Sequence, residues 1–175
     1  MGADAGVVRA AEPADAAGIG LVHVRSWQAA YAGHFPQEFL DALDPAARAE
    51  GWRRILGAAQ RARQADLVAE VDGRVGGFVS VGPSRDSDAS GAAEVYAIYL
   101  LAELWGSGLG RRLMDAALGT LAGLGFDAAT LWVLEGNQRG RRFYKKGGWS
   151  IDGATKVDDS PGFPIAEVRY RRSLP

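Results

Sequence analysis

The sequence predicts a mixed α/β domain in which helices pack against a largely antiparallel sheet with one parallel element inside it. Three observations carry that expectation. Leu67–Val71 and Arg74–Val81 are extended apolar runs joined by Asp72-Gly73, a pair suited to a tight hairpin. Leu109, Leu113, Ala117 and Leu121 recur every four residues with Met114 and Leu118 beside them, which makes one apolar face of a helix. That helix lies between two further extended runs, Glu94–Leu100 and Ala128–Leu134, in a strand–helix–strand order.

The remaining elements follow in order. Val7–Arg9 is a short strand, and Ala11-Glu12-Pro13 turns the chain. Asp15 is placed to cap a helix over about 15–30, in which Ile19, His23, Trp27 and Tyr31 share a face flanked by Val22 and Ser26. Gly33 and Pro36 end that run. A short helical piece starts near Pro36. A longer one spans about 45–59, with Pro45 in its first turn and Trp52, Ile55 and Leu56 on its buried side. Residues 82–91 read as a loop. The Leu109–Leu121 helix ends near Gly123 or Gly125. Asn137 caps a helix of about 138–146 that Gly147-Gly148 stops. Trp149–Ile151 and Ala166–Arg172 are closing strands, and in the latter Val168 and Tyr170 alternate with Glu167, Arg169 and Arg171.

The 175 residues fit one domain, 1–175, with a sizeable core. Lys and Arg total 20 against 21 Asp and Glu, so no general attraction to nucleic acid or an anionic membrane is expected. The chain has no cysteine, which removes disulfides, thiolate catalysis and zinc–thiolate sites; no metal is expected. No apolar run approaches the length that spans a bilayer. The N-terminal segment lacks the basic start and apolar run of a leader, and Gly6 stands where a myristoylation signal after Gly2 wants Ser or Thr. A cytoplasmic location is therefore expected.

Trp105-Gly106-Ser107-Gly108-Leu109-Gly110-Arg111 joins a strand to an amphipathic helix through glycines at alternate positions. A helix N-terminus carries free N–H groups and partial positive charge, and glycine lets a phosphate approach the backbone. Arg111 and Arg112 oppose the helix dipole in the first turn, and an anionic ligand would offset that. The segment reads as a diphosphate cradle, or else as a tight strand–helix junction with no ligand. A dinucleotide fingerprint counted from Gly106 needs glycine where Arg111 stands, and the Gly-Lys-Ser/Thr of a Walker loop is absent.

A second stretch, LWVLEGNQRGRRFYKKGGW, places Tyr144 near the end of a short helix, with Gly140 one turn earlier leaving that side open. A tyrosine hydroxyl can hydrogen-bond a sulfur or give a proton to a departing thiolate. The plainer reading is a tyrosine at the edge of the core. Arg139, Arg141, Arg142, Lys145 and Lys146 are a solvated face or contacts for coenzyme phosphates.

In this order, the two segments resemble the GCN5-related N-acetyltransferase (GNAT) superfamily. Gly108 and Gly110 match the glycines of its (Gln/Arg)-x-x-Gly-x-(Gly/Ala) motif, although Trp105 replaces the leading Gln or Arg. Asn137, Tyr144 and Gly148-Trp149 match its later signature. The resemblance covers about 65–150, the coenzyme-binding core. It reaches more faintly to HVRSWQAAYAGHFP, where the chain is similar to an uncharacterised bacterial subgroup. It implies a GNAT fold, with a central mostly antiparallel sheet splayed between the fourth and fifth strands and helices on both faces. It also implies acetyl-CoA as cosubstrate. The pyrophosphate would lie on the backbone of Gly106, Ser107, Gly108, Leu109, Gly110 and Arg111. The pantetheine arm would lie along Ile98, Tyr99 and Leu100 and beside Asn137, with Tyr144 near the sulfur. A bulge around Ile98 or Tyr99 would turn an N–H toward the thioester carbonyl.

The implied reaction is direct attack by a neutral amine, with no covalent enzyme intermediate. A lysine-like amine is almost wholly protonated at pH 7, so a base is needed. Glu94, at the start of the strand facing the acyl group, is the expected base, unless it is an ordinary charged strand end. Ribosomal-protein-type members carry a catalytic Glu where Trp132 stands here. Tyr144 is the expected acid. Trp27, Tyr31 and Tyr96, with His34 and Phe35, outline a semi-polar aromatic pocket for a small-molecule amine, built largely from about 15–60. His34 is a second candidate base. Tyr96 and Tyr99 fall on opposite sides of a regular strand, a parity that a bulge would change. Asp86 and Asp88 would draw a cationic acceptor or simply be solvated. A protein N-terminus or lysine as acceptor, and a non-catalytic acyl-CoA-binding module, are the alternatives. The closing strand is a candidate homodimer edge by resemblance.

Overall fold

The computed structural model describes residues 6–58 and 62–174. The leader and Gly2 readings rest in part on residues 1–5, which lie outside the described residues, as does Ala59 at the expected end of the third helix. Among the described residues, seven strands form one sheet: β1 (Val7–Ala10), β2 (Ala65–Val71), β3 (Arg74–Pro83), β4 (Ala93–Leu100), β5 (Ala128–Leu134), β6 (Ser150–Asp158) and β7 (Ile165–Ser173). Their order is β1-β2-β3-β4-β5-β7-β6, and only β4 and β5 run parallel. The β2–β3 turn has Asp72 at φ 50° and Gly73 at φ 73°, the paired left-handed backbone of a primed hairpin turn.

Helices cover both faces. α1 (Ala16–Ala30), α2 (Gln37–Asp41) and α3 (Pro45–Gly57) lie on one; α4 (Leu109–Gly123) and α5 (Gln138–Lys146) lie on the other. Leu113, Met114, Leu118 and Leu121 of α4 pack on Val79, Val81, Ala93 and Val95, while Ile19, Val22 and Trp52 pack on Val68 and Phe78 across the sheet. The predicted apolar faces of α1 and α4 are thus the buried ones. Ile55 is not on the buried side of α3: it is 38% exposed, whereas Trp52 is 7% exposed. Asp15 does not cap α1 with its side chain. It accepts from the Glu12 N–H at 2.8 Å and from Arg9 at 2.7 and 2.9 Å, and Arg9 also reaches Glu70 on β2. β6 is longer than the predicted Trp149–Ile151, and Trp149 is a buried residue just before it.

α1 and α3 meet at Gly20, where an added Cβ would lie 2.6 Å from the Pro45 carbonyl oxygen and 2.7 Å from the Ala49 nitrogen. Gly20→Ala must push the helices apart, and an overpacked interior of this kind costs about 1–3 kcal/mol. Thermal unfolding of Gly20→Ala should show a Tm several degrees below that of the parent, whereas Gly51→Ala, with open space beside it, should not.

The β4–β5 pairing is short. Ala93 pairs with Ala129 and Glu94 with Thr130, and the Thr130 hydroxyl donates to the Ala93 carbonyl at 3.2 Å. Beyond that point the two strands part into a V. Opposite β4, Ser80 pairs with Ala97 but Val81 pairs with Val95, so Tyr96 is the extra residue of a bulge. The bulge lies earlier than Ile98 or Tyr99, where it was expected. It resets the alternation, so Tyr96 and Tyr99 share the α1 face instead of lying on opposite sides. Tyr99 meets His23 and Trp27, and the Tyr96 hydroxyl lies where a Cβ on Gly82 would be.

Candidate active site

The glycine turn sits at the open end of the V. Gly106 and Gly108 adopt φ of 81° and 87°, and an added Cβ at either would meet no atom within 4 Å. Their N–H groups have no protein acceptor among the described residues. Gly108 starts α4 with no side-chain cap. Left-handed glycines, free donors, open space beside them and an uncapped helix N-terminus together fit a bound diphosphate. Other expected contacts have internal partners. The Leu109 N–H reaches Ser107 Oγ at 3.3 Å, and the Arg111 N–H reaches the Gly108 carbonyl at 3.1 Å. Arg111 forms an ion pair with Asp115 at 2.8 Å, and Arg112 donates to the Gly6 carbonyl at 2.8 Å, fastening the N-terminal segment to α4.

Trp105, the departure from the family motif, donates its indole N–H to the Leu100 carbonyl at 3.2 Å. The Arg139 guanidinium lies 4.2 Å from the Trp105 ring, so a cation from α5 stands over the turn. Asn137 Oδ1 accepts from the Gly140 N–H at 3.0 Å and caps α5, as predicted. Gly140 does not open a passage: its free side is filled by the Asn137 amide, which would lie 2.8 Å from a Cβ there. Tyr144 is partly buried, with ring contacts to Phe143, Trp149 and Tyr170. Burial, followed by nearby Tyr99, holds its hydroxyl well above the usual tyrosine range.

On the α1 face, Trp27, Tyr31, Phe35 and Tyr99 cluster, with Tyr31 stacked on Phe35 at 4.5 Å and the Tyr31 and Tyr99 hydroxyls 3.5 Å apart. Burial raises both of these hydroxyls. His23 stacks on Tyr99 at 5.5 Å, and its Nδ1 accepts from Trp52 Nε1 at 3.4 Å. Burial, and then Arg48, pushes the His23 imidazole down to about 4. An unfolded chain binds a proton near 6.5 and the folded one does not until about 4, so stability should fall as pH drops through that window. Urea titrations between pH 7 and 4 should show this slope, flattened in His23→Gln. His34 is exposed and lies against Gly136 in the turn after β5.

Glu94 is 1% exposed and occupied. Oε2 accepts from the Arg85 N–H at 2.9 Å and from Arg85 Nε at 3.1 Å, and Oε1 pairs with Arg85 Nη2 at 2.5 Å. It sits where β4 and β5 join, and its carboxylate is not open to an acceptor as the sequence suggested. The Tyr96 hydroxyl donates to the Pro83 carbonyl at 2.6 Å under the Arg85 guanidinium, so it anchors the same loop. Asp86 and Asp88 are likewise engaged. Buried Arg169 binds Asp88 through two nitrogens at 2.7 and 2.8 Å, Asp86 at 3.2 Å and Asp152 at 2.7 Å; Trp132 Nε1 also donates to Asp86. The two aspartates hold the loop to the sheet.

Sequence reading missed Glu167. It pairs with Leu134 at the open end of β5, on the face shared with Ile165 and Arg169, and its side chain is only 21% exposed. Its ion-pair partner is Lys156 at 3.4 Å. Burial raises its pKa, against the pull of Lys156. The signal was there in the alternation of the last strand, because Glu167 falls on the side opposite Val168 and Tyr170.

Residues 24–149 match the Acetyltransferase (GNAT) family, and the chain belongs to it as an N-acetyltransferase. It is 34% identical over 131 residues to the uncharacterized N-acetyltransferase YuaI of Bacillus subtilis (strain 168), covering 74% of this chain and 72% of that one. It is 37% identical over 91 residues to the uncharacterized N-acetyltransferase Rv2669 of Mycobacterium tuberculosis (strain ATCC 25618 / H37Rv), covering 52% of this chain and 56% of that one. In fold it is similar to the PaiA N-acetyltransferase of Thermoplasma acidophilum in complex with coenzyme A, with a TM-score of 0.75, 20% identity, and coverage of 99% of this chain and 100% of that one. It is also similar to yncA from Salmonella typhimurium with its cofactor acetyl-CoA, with a TM-score of 0.68, 20% identity, and coverage of 97% and 94%. Among the described residues no helix is long and apolar enough to cross a membrane.

Proposed function

We propose that the chain moves the acetyl group of acetyl-CoA to the primary amine of a small molecule by direct attack. The observation that carries the small-molecule reading is an aromatic bridge. Phe163, in the β6–β7 loop, contacts Phe35 at 5.1 Å and Phe39 at 5.0 Å, on the opposite wall. An extended peptide would need the space between those walls; a compact amine does not. Trp27, Tyr31 and Tyr99 then supply aromatic faces for a cationic amine. The coenzyme would lie with its diphosphate on Gly106 and Gly108, its pantetheine in the V beside Asn137, and its sulfur near Tyr144. It supplies an activated acetyl group when bound. Glu94 serves this site by holding Arg85 and its loop. Calorimetric titration with acetyl-CoA tests the coenzyme half without presuming an acceptor. Micromolar binding supports it, and no heat at millimolar coenzyme in folded protein overturns it. Thiol release with compact aryl-alkyl amines, and none with unblocked octapeptides, supports the acceptor class; the reverse pattern overturns it.

A further inference from the structure

We propose that Glu167 receives the acceptor's ammonium group and takes its proton. This rests on the amine-acetylation reading above and supplies the base which that reading lacks. The carboxylates and imidazoles nearest the V leave few candidates. Both oxygens of Glu94 are held by Arg85, His23 uses Nδ1 to accept from Trp52, and His34 is exposed to solvent beside Gly136. Glu167 stands at the end of β5 where the V is open, paired with Leu134, and Leu134 packs in the cluster that holds Trp27 and Tyr31 of the aromatic pocket. The titratable and charged groups around it are Lys156 and Asp158 of β6, Arg85 of the β3–β4 loop, Tyr31 just past α1 and Tyr99 of β4. Lys156 is a single cation at 3.4 Å that an incoming ammonium can displace, since its Nζ also lies 4.3 Å from the Trp132 ring. Burial keeps the carboxylate more basic than a surface glutamate, which favours proton uptake from an ammonium placed against it.

The protons balance. The ammonium gives one to Glu167, which passes it to water. The neutral nitrogen forms the C–N bond as the C–S bond breaks. The second nitrogen proton leaves to water as Tyr144 protonates the departing thiolate, and water returns a proton to Tyr144, so both residues end the cycle as they began it.

The test compares two probes of nearly the same shape. Benzylamine is an ammonium at pH 7 and needs a base; phenylhydrazine is already neutral. In Glu167→Gln, kcat/KM for benzylamine should fall about 100-fold at pH 7 and recover as pH rises. The phenylhydrazine rate should stay within about 3-fold, because the general-base contribution is not required there. Glu167→Asp should fall between the two. An equal loss with both probes makes Glu167 structural and overturns this inference alone. A wild type that binds acetyl-CoA yet releases no thiol with either probe overturns the inference together with the small aromatic-amine reading.

Discussion

Gly108→Asp is expected to weaken acetyl-CoA binding by about 100-fold or more, through two effects at one position. Gly108 has φ 87°, a backbone that costs an L-residue about 1–2 kcal/mol. The new carboxylate would also stand at the uncapped N-terminus of α4 and would compete with a phosphate for the N–H groups and partial positive charge there. Backbone strain and charge can be separated. Gly108→Ala carries the strain without the charge, so it should bind at most about 5- to 30-fold more weakly, in line with 1–2 kcal/mol. Gly119→Asp adds the same charge on an exposed turn of α4 with open space around it, and should bind normally. Calorimetry on the three proteins reads the order directly. Normal affinity in Gly108→Asp would remove the cradle and leave the glycines as a strand–helix junction.

What the sequence made legible was what is local. Asp72-Gly73 specifies its turn by backbone conformation alone, and the four-residue spacing of Leu109 to Leu121 specifies a buried face whatever it is buried against. Asn137 announced its own helix through a cap that needs only Gly140 three residues on. The candidate site was less legible because its decisive partners are distant in the chain. Nothing near Glu94 says that Arg85 will close on both of its oxygens, and nothing near Asp88 says that Arg169 will neutralise it from 81 residues away. The bulge at Tyr96 reversed a parity that simple alternation got wrong, since one extra residue moves every later side chain to the other face. Gly140 misled for a different reason: a missing side chain reads as open space until a neighbour, here the Asn137 amide, is seen to fill it. Glu167 hid in an edge-like pattern of charges, and only the pairing with Leu134 shows that it belongs to the mouth of the V.

Tyr144→Phe is expected to lower kcat about 100-fold while the KM for acetyl-CoA changes by less than about 3-fold, the mark of a group used when the thiolate leaves and not before. The ring should stay in place, because Phe143, Trp149 and Tyr170 hold it by contact and no hydrogen bond to its hydroxyl is required for that packing. The pH dependence follows from the direction of its shift. Burial keeps the hydroxyl protonated well above the usual tyrosine range, so the acid form is present across the whole range in which the protein is handled. Loss of activity at high pH should therefore not trace to Tyr144, and any alkaline fall should persist in Tyr144→Phe. The acidic limb belongs to the proton acceptor instead, and it too should survive in this variant. A parallel loss of coenzyme affinity, seen as a KM that rises as far as kcat falls, would make Tyr144 a binding contact. Unchanged kcat would reduce it to packing and leave the thiolate to take its proton from water.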